Sequence, residues 1–227
     1  MSRFLDARYA GLAPYVPGEQ PQDRRYVKLN TNESPFPPSP AVLAALNREE
    51  TEKLNLYSDP TAAVLVRAIA ARFDNKLRAE GKKGLTERNV FVGNGSDEVL
   101  AFAFGAFCGK ERGVAFPEIG YGFYPVFAEF FSLPFVTVPM NADLSVNAEG
   151  FKGLKETVVI ANPNAQTGIY LPISEIKTLL SENKDRLVIV DEAYCDFGAE
   201  SAVGLIGEFD NLLVVQTMSK SRQLAGG

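Results

Sequence analysis

The sequence predicts an α/β fold built on a mainly parallel sheet flanked by helices. Three observations predict it: short, unbroken apolar runs, helix-period segments between them, and a polar or glycine-rich cluster after most of the runs. Continuous apolar runs suit strands that are covered on both faces, as parallel strands are. In such sheets ligands bind beyond the carboxyl ends of the strands, so the clusters are the places to look for function.

Residues 1–40 are rich in Pro and polar residues and show no period, so they read as an extended N-terminal arm ahead of a domain over 41–227. Asp59-Pro60 reads as a helix start, with Asp as N-cap and Pro at the first helical position. Val64, Leu65, Ile69, Phe73 and Leu77 then fall on one helical face. The run 89–92 reads as a strand leading into Gly93-Asn94-Gly95-Ser96-Asp97-Glu98 and an apolar helix over 99–108. A strand over 114–116 is ended by Pro117, and a helix is expected over 121–131. The runs 158–161, 187–190 and 212–215 are three further strands. The spacing leaves room for crossover helices, one of them after Pro172.

Composition excludes several function classes. The chain has 227 residues, 46% of them hydrophobic and 22% charged, which suffices for a buried core and argues against disorder. Histidine is absent, which removes His-based triads, His metal ligands and His proton shuttles, and no metal site is expected. Acid–base chemistry is left to Lys, Asp, Glu, Tyr and Cys. The net charge of -5 is mixed along the chain, with no basic stripe for nucleic acid. Cys108 and Cys195 form no CxxC pair and read as buried free thiols in a reducing compartment. No apolar stretch is long enough to span a bilayer, and charge breaks the N-terminal apolar runs, so a cytoplasmic protein is expected.

Four clusters carry the candidate chemistry, and each has a plain structural alternative. Gly93 and Gly95 permit a tight turn, and Ser96 and Asp97 open a helix whose free N–H groups suit a phosphate; the alternative is an ordinary side-chain cap. Asn162-Pro163-Asn164-Ala165-Gln166-Thr167-Gly168 is either a polar turn or an amide reaching a ligand. Asp191-Glu192-Ala193-Tyr194 ends an apolar strand. A carboxylate there requires a cationic or donor partner, either a ligand ring nitrogen or the N–H groups of a following helix. Thr217-Met218-Ser219-Lys220 places a lysine in a hydroxyl-rich turn just past a strand, where a lowered pKa would suit imine chemistry; the alternative is a surface lysine.

In this order the four clusters resemble the fold-type-I, pyridoxal-phosphate (PLP) dependent enzymes of the class I/II aminotransferase family. So do Leu29-Asn30-Thr31-Asn32-Glu33-Ser34-Pro35, the arm segment Pro14-Tyr15-Val16-Pro17-Gly18-Glu19, Tyr57-Ser58-Asp59-Pro60, and the lysine loop 217–226. The resemblance implies a PLP-dependent transaminase working on small amino and keto acids as a homodimer, with this chain as the large domain. Lys220 would bond the cofactor aldehyde and move the proton. Asp191 would keep the pyridine nitrogen protonated. Tyr194 and Asn164 would hydrogen-bond the ring oxygen, and Tyr121 would stack on the ring. Gly95, Ser96 and Asp97, with Thr217 and Ser219, would cradle the phosphate, Tyr57 would reach a phosphate of the partner subunit, and Tyr15 and Asn32 would line the substrate side.

The sequence departs from the family pattern at Ala165-Gln166, where Asn-Pro normally precedes Thr-Gly, and between Pro117 and Tyr121, where there are extra residues. Family members also continue past the lysine loop into a C-terminal domain. An incomplete large domain, lacking the later cofactor- and substrate-binding arginines, is therefore expected. Other readings are a decarboxylase or an aromatic aminotransferase of the same fold, and a non-catalytic remnant.

Overall fold

A computed structural model describes residues 6–9, 11, 19, 23, 24, 26–46, 52 and 54–226. Helix α1 is Pro40–Ala45, capped by the Ser39 hydroxyl, and α2 is Ala63–Ala79. Helix α3, Gly95–Phe107, precedes strand β1, Val114–Pro117. Helix α4, Phe123–Phe130, leads to β2, Phe135–Val138. Strand β3 is Thr157–Ala161, α5 is Ile173–Glu182, β4 is Val188–Asp191 and β5 is Leu212–Val215.

The five strands lie in the order β2-β1-β3-β4-β5, every pair parallel. Alternation along the strands divides the core in two. Val158, Ile160, Val188, Val190 and Leu212 pack with Ile176, Leu179 and Leu180 of α5. Val114, Phe116, Val159, Ile189 and Val215 pack with Leu100 and Phe104 of α3 and Tyr124 and Phe127 of α4. β1, β3 and β4 are buried at every position, which explains their unbroken apolar sequence.

Three expectations need correction. Of the expected strand 89–92, Asn89 ends a 3-10 turn and Val90 is extended, but 90–92 pair with no strand among the described residues, so they are not part of the sheet. β-branched residues favour an extended chain, but only a neighbour makes it a strand. Asp59 is not the N-cap of α2, which begins three residues after Pro60. The cap position is Ala62, in left-handed backbone, while the Asp59 carboxylate accepts from the Thr61 and Ala63 N–H groups at 2.9 and 2.8 Å. The expected apolar face of α2 is split. Leu77 is buried, with Phe73 packed beside it, but Val64 is exposed. The sheet also contains β2, which was not expected.

Candidate active site

The carboxyl ends of β4 and β5 bring the third and fourth clusters together. The two strands are neighbours, and the ladder continues past them: the Glu192 N–H donates to the Val215 carbonyl at 2.7 Å. Asp191 is the last residue of β4 and is 4% exposed. Its Oδ2 accepts from the Tyr124 hydroxyl at 2.8 Å and its Oδ1 from the Ala193 N–H at 3.2 Å. Both donors are neutral, and among the described residues no lysine or arginine pairs with it. Burial pushes its pKa up to about 6; the Tyr124 and Ala193 hydrogen bonds only partly oppose the rise. Asp191 does not cap a following helix, because the next turn, Cys195–Phe197, starts after Tyr194.

Burial first, and the Asp191 charge second, hold the Tyr124 phenol well above its ordinary range, so it stays a donor. Sequence reasoning missed this residue. Its signal is a tyrosine three positions after Tyr121, on the same side of the α4 region, but it reads as one more core aromatic.

Lys220 lies just beyond β5 and is half-buried. Its Nζ donates to the Thr31 carbonyl at 3.1 Å and stands 5.9 Å from the centre of the Tyr194 ring. Asn32 reaches the same tyrosine, its Nδ2 donating to the Tyr194 hydroxyl at 2.9 Å. Thr31 and Asn32 have φ of 61° and 53°, left-handed backbone that a β-branched residue rarely adopts, and this conformation brings the arm over the lysine. Thr217 and Ser219 bond to each other, Oγ1 to Oγ at 2.9 Å, at the base of the same turn.

Helix α3 starts at Gly95 without a side-chain cap. Neither Ser96 nor Asp97 serves as cap; both lie inside the first turn, and the Glu98 carboxylate accepts from the Asn94 N–H instead, at 2.6 Å. Gly95 has φ +77°, which favours glycine. Gly93 serves close approach, since a Cβ there would stand 2.9 Å from Glu98 Oε2. Asp97 accepts from the Tyr121 hydroxyl at 2.9 Å, so the first and third clusters are linked through neighbouring tyrosines: Tyr121 to Asp97 and Tyr124 to Asp191. The open helix terminus suits an anion such as a phosphate.

Asn164 is committed to its own turn. Its Oδ1 accepts from the N–H groups of Gln166 and Thr167 at 2.9 and 3.2 Å, and its Nδ2 donates to the Ile119 carbonyl at 2.8 Å. Tyr57 is fully exposed. Tyr15 lies outside the described residues. Both cysteines are buried free thiols, Cys108 with its pKa raised by burial to about 11 and Cys195 to about 12, so neither is a nucleophile.

The profile of the family described as aminotransferase class I and II matches residues 24–227. Histidinol-phosphate aminotransferase 2 of Gluconobacter oxydans is 53% identical over 226 residues, covering 100% of this chain and 61% of the relative. The histidinol-phosphate aminotransferase of Clostridium acetobutylicum is 49% identical with the same coverage. Among solved structures, that of histidinol-phosphate aminotransferase from Sinorhizobium meliloti in complex with pyridoxal-5'-phosphate matches with a TM-score of 0.75 and 25% identity, over 86% of this chain and 53% of that one. The chain thus spans about 61% of the length of these curated relatives.

Proposed function

Since the chain belongs to the class I and II aminotransferases, we propose that it carries the PLP site of a transaminase of histidine biosynthesis. The reaction exchanges the amino group between histidinol phosphate with 2-oxoglutarate and imidazole acetol phosphate with glutamate. The observation that carries the cofactor assignment is Asp191: a buried carboxylate with two neutral donors and, among the described residues, no cation, one strand away from the Lys220 amine. A protonated pyridine nitrogen supplies the missing positive charge. The substrate assignment rests on the name shared by the relatives that align with the whole chain.

Bound PLP supplies an electron-withdrawing ring that stabilises negative charge at the carbon next to the substrate nitrogen. The residues of the chain hold and use it. Asp191 would hold the ring nitrogen in its protonated form. Lys220 Nζ is the amine that would hold the aldehyde and, when free, would serve as the base. Tyr121 would stack on the ring, and the Tyr194 hydroxyl, which accepts from Asn32 Nδ2, would be the donor to the ring oxygen. The first turn of α3, with Ser96, Asp97 and Gly95, would hold the phosphate together with Thr217 and Ser219. Asn164 holds the adjoining loop through Ile119, Gln166 and Thr167, and the second hydrogen of its Nδ2 would be the donor to the ring oxygen.

We read the working protein as a cytoplasmic homodimer. Tyr57 stands fully exposed beside exposed Leu54 and Leu56, the disposition of a residue that donates its hydroxyl to the partner's phosphate site. Tyr15 and Asn32 are assigned to the substrate side. Among the described residues no helix is long and apolar enough to cross a membrane.

The experiment is borohydride reduction in the presence of PLP, followed by peptide mapping, then amino-donor assays with histidinol phosphate and aromatic amino acids. The label is expected on Lys220, with histidinol phosphate the preferred donor. A label on Lys177 or Lys184 would refute the site, and a preference for an aromatic donor would refute the substrate.

A further inference from the structure

The lysine loop is held by a network that the cofactor reading does not use. Asp196 lies in the turn after β4, and its Oδ2 accepts from the Ser221 hydroxyl at 2.6 Å and from Arg222 Nε at 3.0 Å. Arg222 Nη2 donates to Gln216 Oε1 at 3.0 Å, and Gln216 Nε2 donates to Glu192 Oε2 at 2.9 Å. Glu192 is 2% exposed and takes the Ser201 hydroxyl and the Ala202 N–H as well. Charge and amide contacts thus run from the extension of β4, across the loop, and back to the extension of β4.

Lys220 is enclosed by this arrangement. Before it, the Ser219 N–H bonds Thr217 Oγ1 at 3.2 Å. After it, Ser221 and Arg222 are both tied to the one carboxylate. The loop closes where the Leu224 N–H donates to the Met218 carbonyl at 2.9 Å, and Gln223 adopts φ 61° to allow it. An amine on a four-carbon stem is mobile unless its backbone is fixed. Here the fixing groups are paired charges, which hold geometry more firmly than neutral hydrogen bonds. The Arg222 guanidinium and the Asp196 carboxylate are only 28% and 34% exposed, so solvent screens them partly. Burial works to raise the Asp196 pKa, but the Ser221 hydroxyl and the Arg222 guanidinium outweigh it, and the carboxylate is held below its usual range.

We propose that Asp196, acting through Ser221 and Arg222, is the positioning residue for Lys220. It touches neither ligand nor reacting atom. It sets where Nζ stands, and so how readily the amine meets the aldehyde. The inference rests on Lys220 being the PLP lysine. It predicts that loss of Asp196 separates two events that are otherwise coupled, retention of PLP at the phosphate-binding turn and covalent attachment to Lys220.

The test uses Asp196→Ala, Asp196→Glu and the double variant Ser221→Ala/Arg222→Gln. PLP retention is measured by equilibrium dialysis, and the rate of attachment by timed borohydride quenching with peptide mapping at Lys220. Asp196→Ala is expected to retain PLP but attach it at least about tenfold more slowly, the scale of one lost charge-assisted hydrogen bond. The double variant should match it, and Asp196→Glu should recover much of the rate. If the parent protein is not labelled at Lys220, the PLP reading itself fails. If the parent is labelled and Asp196→Ala attaches at the parent rate, only the positioning role is overturned. Should Asp196→Ala not fold, the double variant decides from the loop side, and a parental attachment rate in it overturns the proposal.

Discussion

The two ends of strand β4 carry buried charges of opposite sign, treated in opposite ways. Just before the strand, Arg186 is 1% exposed. Its guanidinium donates to the carbonyls of Phe151, Leu154 and Leu179 at 2.6, 3.0 and 3.0 Å and pairs with Glu182 at 3.1 Å; only Nε is left over. At the far end, Asp191 is also buried but has two neutral donors and, among the described residues, no counter-charge. A buried charge is tolerated when the fold itself compensates it. Arg186 is compensated and therefore structural, tying the loop before β3 to the end of α5. Among the described residues Asp191 is left without a counter-charge, which is the disposition the proposed cofactor role calls for.

The contrast predicts different failures. Arg186→Ala strands three carbonyls and a carboxylate, and should cost about 3–5 kcal/mol of stability with or without PLP, read as a lower denaturant midpoint. An equal loss on Asp191→Asn would erase the distinction.

Asp191→Asn should instead spare or strengthen the cofactor-free fold while removing about 3–4 kcal/mol of transition-state stabilisation from transamination, seen in kcat/KM. The pH dependence sharpens this. Burial raises the folded-state pKa of Asp191 from 3.8 to about 6, so the folded protein binds its proton more tightly than the unfolded chain does. That contribution is fully present below the unfolded pKa and is lost as pH rises through about 6. Relative to Asp191→Asn, the cofactor-free parent should therefore lose roughly 3 kcal/mol between those limits. A flat difference across the window would show that the carboxylate is not buried alone.

Tyr124→Phe should be milder. It deletes one hydrogen bond to a charged group, about 1.5–3 kcal/mol, and should raise the Asp191 pKa further, moving the acid limb of the PLP-binding profile to higher pH. An unmoved limb would mean that the phenol does not steady the carboxylate. Gly95→Ala is expected to have the smallest effect. A Cβ there meets nothing within 4 Å, so the cost is the left-handed backbone alone, about 1–2 kcal/mol, read in thermal unfolding.

How much was legible in the sequence follows from the same physics. β1, β3, β4 and β5 stood out because strands covered on both faces need apolar residues throughout. β2 did not, because three of its four residues are exposed and Thr137 interrupts the apolar run Phe135-Val136-Thr137-Val138. Residues 89–92 have β-rich composition but no strand partner among the described residues, and composition cannot supply one. The positions of Lys220 and Asp191 just past β5 and at the end of β4, and of Gly95 at the start of α3, were readable from the sequence pattern. Tyr124, Asp196 and Arg222 were not, since each acts on a residue distant in sequence, and pairing across the sheet is a property of the fold. Nor could the motif show that Asn164 spends its amide on Ile119, Gln166 and Thr167.

The central claim is that no cation among the described residues pairs with the Asp191 carboxylate and that the proposed cofactor supplies one. Infrared titration of the Asp carboxyl band, with Asp191→Asn to assign the signal, measures this directly in the absence and presence of PLP. The account predicts titration near the raised value of about 6 without PLP and an anion throughout the same range once PLP is bound. An Asp191 titration that PLP leaves unchanged would contradict it.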